Sequence, residues 1–346
     1  MKRFLVNSLK IAISVGILAY LVMDANSKGD FAVLLGRDKQ WGALAGAAVL
    51  CFLAVLITLV RWYYLIRALD LPIRFQDALR LGFLGYLFNM SPVGIVGGDL
   101  LKAVMLARNY PGRRAEAAAT VFFDRAIGLY VLFVVASVAV FFTGMGRCPN
   151  ATIQAVCSAT LAVTGIGTLG MGAMLIPGLT NGRASALMAR LPYLGGLAKQ
   201  LLTAVRMYRR NVGVLVGSVL LTILVHSFNA AGMYLIASGL YRDPHSLGAH
   251  FVITPLAHAT GVLPISIGPF EAALGELYAA APLPDGRFLQ GSGRGLVVAL
   301  GYRLITLLIA AVGVGYYVSS RQELAEAMRS ADEMEAAGQS LTAPPA

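Results

Sequence analysis

Charge is what this sequence holds least of. Only 13% of its 346 residues are Asp, Glu, Lys or Arg, against about 25% in a soluble domain. Hydrophobic residues make up 58% and the mean hydropathy is +0.72. One globule could not hide that much apolar surface, so the chain reads as a membrane protein. Cysteine is almost as scarce. Cys51, Cys148 and Cys157 fit neither a metal nor a disulfide spacing and read as small apolar packing residues. Histidine occurs four times, with no carboxylate at ligand spacing and no His-Glu-x-x-His. His226, His250 and His258 therefore read as buried, hydrogen-bonded residues, with His258 nearest a cavity, and neither cofactor nor metal is expected. No nucleophile, metal cluster or nucleotide loop stands out, which argues against an enzyme.

The charge that is present is unbalanced, with a net +11 and a pI near 9.8. Nucleic acid is not the expected partner, because the basic residues track the ends of apolar runs and no reading module lies among them. Topology and anionic headgroups account for them instead.

Six runs are long enough to cross a hydrocarbon core, which takes about 20 helical residues: Leu5 to Met23, Trp41 to Tyr64, Ala117 to Phe142, Ala151 to Ile176, Val212 to Leu240 and Leu296 to Val318. The first resembles a signal peptide, but Asp24 to Lys28 lacks a small-x-small cleavage pattern, so it is expected to stay as a helix. Lys2, Arg3 and Lys10 place the N-terminus in the cytoplasm. The basic residues between Arg67 and Arg114, and those of the linker from Pro177 to Asn211, fall on the same side. Arg147 to Asn150 and Tyr241 to Ser246 then face outside.

Two further apolar segments, Gln76 to Ala107 and Leu247 to Ala281, are broken at their centres. Pro92-Val93-Gly94-Ile95-Val96-Gly97-Gly98-Asp99 and Pro264-Ile265-Ser266-Ile267-Gly268-Pro269-Phe270-Glu271 share a proline, a small residue two on, an isoleucine three on and an acid seven on. Broken backbone is tolerated at membrane depth only where it is buried or lines a cavity, so both segments read as re-entrant hairpins. By the charge rule they enter from opposite faces. Paired interruptions in two inverted halves mark a transporter's substrate site. The expected fold is thus an all-α polytopic bundle of six spans and two hairpins. Residues 1–320 form the membrane domain, with 41–142 as the first repeat and 212–318 as its inverted mate, and 321–346 form a polar cytoplasmic tail.

Intramembrane charges narrow the site. Asp124-Arg125 lies inside the third span and Arg303 inside the last, where each charge costs roughly 2.5 to 3.5 kcal/mol on translocon scales. The arginines are approximate repeat mates and should face one cavity. A half-helix restarting after Gly97-Gly98 or Gly268-Pro269 offers an anion its N–H groups and positive dipole end, and arginine adds a fork suited to phosphate. The candidate headgroup site is Arg125, Arg303, Asp99, Glu271, Asp124, Lys102, Gly97, Gly98, Pro92, Pro264, Ser266 and Gly268. The competing reading is structural ion pairing, Arg125 with Asp99 or Asp124 and Arg303 with Glu271. Lys102 either joins the site or snorkels to the cytoplasmic interface, and Arg61 either snorkels or lines the entry.

Ser91-Pro92, Gly97-Gly98-Asp99, Asp124-Arg125, Leu263-Pro264 and Gly268-Pro269-Phe270-Glu271 resemble the flippase-like transmembrane domain of lysylphosphatidylglycerol synthases, over essentially Leu5 to Val318. The resemblance implies a multi-pass inner-membrane protein that moves a phospholipid, polyprenyl-phosphate or hopanoid-pathway lipid between leaflets, or helps to do so. Expected partners are an anionic membrane lipid and, beyond it, a second copy of the chain or a lipid-synthesis enzyme. Two departures stand out. A short polar tail follows the last span in place of an aminoacyl-transfer domain, so lipid aminoacylation is not expected. Pro269-Phe270 also replaces the further glycines usual before the second acid. The alternative function is a membrane-embedded enzyme on lipid-linked substrates, with Asp99 or Glu271 as acid/base, or an accessory subunit.

Overall fold

A computed structural model describes residues 14–23, 26–27, 38–90, 97–175, 207–208, 211–263, 265 and 267–320. The expectations placed on Pro92, Pro264 and Ser266, on most of the Pro177 to Asn211 linker, on the start of the first span and on the tail lie outside the described residues.

The described chain is helical, with one isolated bridge between Pro282 and Phe288 and no strand among those residues. In order come α1 (Ser14–Met23), α2 (Trp41–Arg67), α3 (Phe75–Met90), α4 (Gly98–Asn109), α5 (Arg114–Thr143), α6 (Ala151–Leu175), α7 (Val212–Leu240), α8 (Leu247–Ala259), α9 (Pro269–Ala280) and α10 (Gly293–Ser319). Five of these, α2, α5, α6, α7 and α10, are long and apolar enough to cross a membrane; of the expected first span only α1 is described. Helices apolar on every face suit a lipid surround, and the outward Phe141, Phe142, Leu169 and Leu220 fit it. Local chemistry marks the helix ends. Gly144 closes α5 at φ +67°, where glycine carries no Cβ penalty. Asn150 Oδ1 accepts the Thr152 and Ile153 amides at 2.9 and 3.2 Å to open α6, and Ser246 Oγ accepts the Ala249 amide to open α8.

The broken segments each give two short arms. The 16 residues of α3 and 12 of α4, and the 13 of α8 and 12 of α9, span about 18 to 24 Å each at 1.5 Å per residue, short of a ~30 Å core. In both cases the two ends of the pair meet. Arg113, just before α5, donates to Asp70 O at 2.9 Å and Leu69 O at 2.7 Å, at the entry to α3. At the other pair, His245 donates to Ala281 O at 3.1 Å, and Arg294 in the first turn of α10 pairs with Asp243 at 3.1 Å.

Helix α2 runs antiparallel to α7, its most extensive neighbour: Gln40 N–H donates to Gly239 O at 3.0 Å, Gly232 lies against Cys51 and Ala47, and Arg61 reaches Thr222. Within α2–α5 and α7–α10 the other packed pairs occur in twos, among them α3 with α4 and α8 with α9, α4 with α5 and α9 with α10, α3 with α10 and α8 with α5, while α6 packs on α5 and α9 without a counterpart. Exchanging α2–α5 with α7–α10 leaves this set unchanged. Helix α1 packs on α9 and α10 through Ile17 and Leu21, against Ala272, Leu296 and Leu300.

Candidate functional site

The chain enters α4 at Gly98 because nothing larger fits. A Cβ there would sit 1.7 Å from the Gly85 carbonyl oxygen, so the two arms of the first pair touch backbone to backbone. No side chain among the described residues caps this helix start, and a helix's first amides have no intrahelical acceptor. Asp99, in its first turn, accepts from Arg125 Nε of α5 at 2.5 Å on Oδ2, and Lys102 Nζ lies 3.0 Å from Oδ1 as a charge contact. Lys102 is buried and stands over the Trp62 ring, 5.0 Å from its centroid, so it does not snorkel. Arg125 is open: 58% of its side chain is accessible, with 30% of Asp99, and only its Nε is engaged by a described residue. One carboxylate faces two cations, one of which keeps Nη1 and Nη2 unengaged among the described residues.

The second pair carries the same residue types in a closed arrangement. Gly268 adopts φ +108°, a conformation L side chains rarely take, with Ile17 against it, and α9 starts at Pro269, which has no N–H to offer. The Gly268 amide donates to Glu271 Oε2 at 2.7 Å, while Arg303 Nε and Nη2 both donate to Oε1 at 2.9 and 2.6 Å. Glu271 is 1% exposed and Arg303 17%. The carboxylate fills the place an anion would take at this helix start. Arg303 also lies over Phe270, 5.9 Å from the ring centroid, and its Nη1 reaches Met90 Sδ at 3.9 Å. Met90 is the last residue of α3, so the ion pair between α9 and α10 touches the end of α3.

Asp124 stands apart from this group. Successive residues on a helix point about 100° apart, and with Arg125 turned to Asp99, Asp124 faces α2. There Arg61 donates through Nε to its Oδ1 at 2.9 Å, through Nη2 to its main-chain oxygen at 3.2 Å, and through Nη1 to Thr222 Oγ1 at 2.6 Å. Both side chains are buried, so Arg61 neither snorkels nor lines an entry. Arg61 is the partner sequence reasoning missed for Asp124; no spacing rule links residues on different helices. Gly97 and Gly98 lie beside Asp99, and Gly268 beside Glu271. The described histidines are hydrogen-bonded: His226 to Gly128 O at 3.1 Å, His250 to Ser246 O and the Tyr278 hydroxyl at 2.9 and 2.6 Å, and His258 to Thr254 O and the Tyr302 hydroxyl at 2.8 and 3.0 Å. His258 packs on Phe270 beside the Glu271–Arg303 pair, and among the described residues no cluster could hold a metal.

The sequence model of one family, described as the lysylphosphatidylglycerol synthase TM region, matches residues 7–313. A search of curated proteins finds no match.

Proposed function

The chain belongs to the lysylphosphatidylglycerol synthase TM-region family, and from that premise we propose that this multi-pass membrane protein moves a phosphate-bearing lipid between leaflets. The observation that carries the reading is Arg125: an accessible guanidinium, bonded only through Nε among the described residues, beside Asp99, Lys102 and an uncapped helix start. A phosphate oxygen accepting from Nη1 and Nη2 would meet charge and planar fork together, while acyl tails remain in the bilayer. Lys102 and Arg125 against Asp99 leave one net positive charge for an anionic headgroup.

The architecture supports the same reading. Packing unchanged on exchange of the two halves, with α2 antiparallel to its counterpart α7, is what an inverted repeat produces. Arms too short to cross, with both ends tied together, fit hairpins that enter and leave by one face. Arg303 touching Met90 brings the hairpin tips together, where rocking of one half against the other would pass a headgroup from Arg125 towards Glu271 and Arg303.

Reconstituted vesicles test this directly. Arg125→Gln should abolish transfer of a labelled anionic phospholipid while leaving expression and melting temperature close to wild type, because the side chain is open. Arg125→Lys should recover part of the rate, keeping charge but losing the fork. Undiminished transfer by Arg125→Gln removes the headgroup site. Arg303→Gln is the weaker probe, since it strands the buried Glu271, a loss of roughly 3 to 5 kcal/mol of stability.

A further inference from the structure

A groove of about 400 Å³ opens between α5, α6, α8 and α9, lined by Phe133, Thr152, Val163, Leu256 and Ala273, with one carboxylate, Glu276. Glu276 is exposed, and no described residue pairs with it or donates a hydrogen bond to it. At 100° per residue it points ~140° away from Glu271 around α9, so the helix turns one acid inward and the other to the groove. The walls follow α6 from Thr152 to Val163, a rise of about 16 Å, or half of a ~30 Å hydrocarbon core and so the depth of one leaflet's tails. Glu276 lies towards the Thr152 end, because the C-terminal end of α9 is tied at Ala281 to His245, and α8, which follows His245, starts against Thr143, just before α6.

We propose that this groove is a lateral lipid site for an amine-bearing phospholipid of the phosphatidylethanolamine type, its ammonium on Glu276 and one acyl chain against Phe133, Val163 and Leu256. Charge complementarity selects the occupant. An unpaired carboxylate at an apolar boundary is costly and gains a charge-assisted hydrogen bond from an ammonium, whereas a headgroup carrying only phosphate would be repelled. The site is separate from Arg125 and stands or falls without the translocation reading.

Nanodiscs with equal phosphatidylethanolamine and phosphatidylglycerol, followed by native mass spectrometry of the released protein, test it. Wild-type protein should retain phosphatidylethanolamine. Glu276→Gln should lower that retention by about tenfold, the loss of one charge-assisted bond, and leave retained phosphatidylglycerol unchanged. Val163→Trp, at an exposed position, should fill the groove and lower phosphatidylethanolamine retention as far, with an unaltered melting temperature. The proposal is overturned if wild-type protein retains no phosphatidylethanolamine, or if either variant retains as much as wild type.

Discussion

Arg61 and Arg125 are both arginines inside the apolar bundle, and their surroundings assign them different work. Arg61 places all three guanidinium nitrogens on protein acceptors, in a pocket where its side chain and that of Asp124 are at most 5% exposed. Removing one member leaves the other charged and unsolvated, so Arg61→Gln or Asp124→Asn should each cost about 3 to 5 kcal/mol, while Arg61→Leu with Asp124→Leu should recover most of it. Thermal unfolding in nanodiscs measures this; a single variant as stable as wild type would mean that the pair is solvated. Little of this division was legible in the sequence. Intramembrane charge made Asp124, Arg125 and Arg303 conspicuous, but which acid meets which base depends on helix rotation. That rotation is set by contacts such as Tyr208 stacked on Phe123 at 4.5 Å, with its hydroxyl donating to Leu65 O.

At the scale of the element, the α3–α4 pair is held by backbone contact between glycines. Gly98→Ala puts a methyl group 1.7 Å from a carbonyl oxygen that belongs to a packed helix and cannot swing aside, so α3 and α4 must separate. The expected loss is at least the ~1 to 3 kcal/mol of an overpacked core, read as a lower melting temperature. Gly172→Ala in α6, with nothing within 4 Å, is the control and should be neutral or up to ~1 kcal/mol stabilising. A Gly98→Ala protein that melts like Gly172→Ala would contradict the close packing. The two breaks were legible because glycine and proline interrupt otherwise continuous apolar runs. Their differing states were not. Glu271 closes the start of α9 through the Gly268 amide, whereas Asp99 turns outward to Arg125 and Lys102, although the two eight-residue stretches share their proline, small residue, isoleucine and acid.

For the whole molecule, the ends of the helices sort by charge. Arg67, Arg74, Arg108, Arg113 and Arg114 gather where α2 ends and α3 and α5 begin, and Asn211, just before α7, joins them by donating to Ala68 O at 2.6 Å. By the charge rule this end is expected to face the cytoplasm. An impermeant thiol reagent applied to intact cells should therefore label Asp285→Cys and spare Arg114→Cys, with little background because Cys51, Cys148 and Cys157 are at most 7% exposed. The reverse pattern would overturn the orientation. Five of the six expected spans were legible from hydropathy alone, but the exchange-invariant packing was not, since it depends on contacts between helices far apart in the chain. The ties across the mouths of the two helix pairs differ by one charge pair. Arg113 holds its mouth through the carbonyl oxygens of Leu69 and Asp70, neutral acceptors that no pH change can protonate. Arg294 holds the other, beside the bond from His245 to Ala281 O, through the Asp243 carboxylate, which is 43% exposed and so open to counterions. Ionic strength therefore weakens one tie, the Arg294–Asp243 pair, and leaves the carbonyl ties at both ends as they were, so the salt of the medium beside Asp243 can bias which mouth is looser while the sequence stays the same.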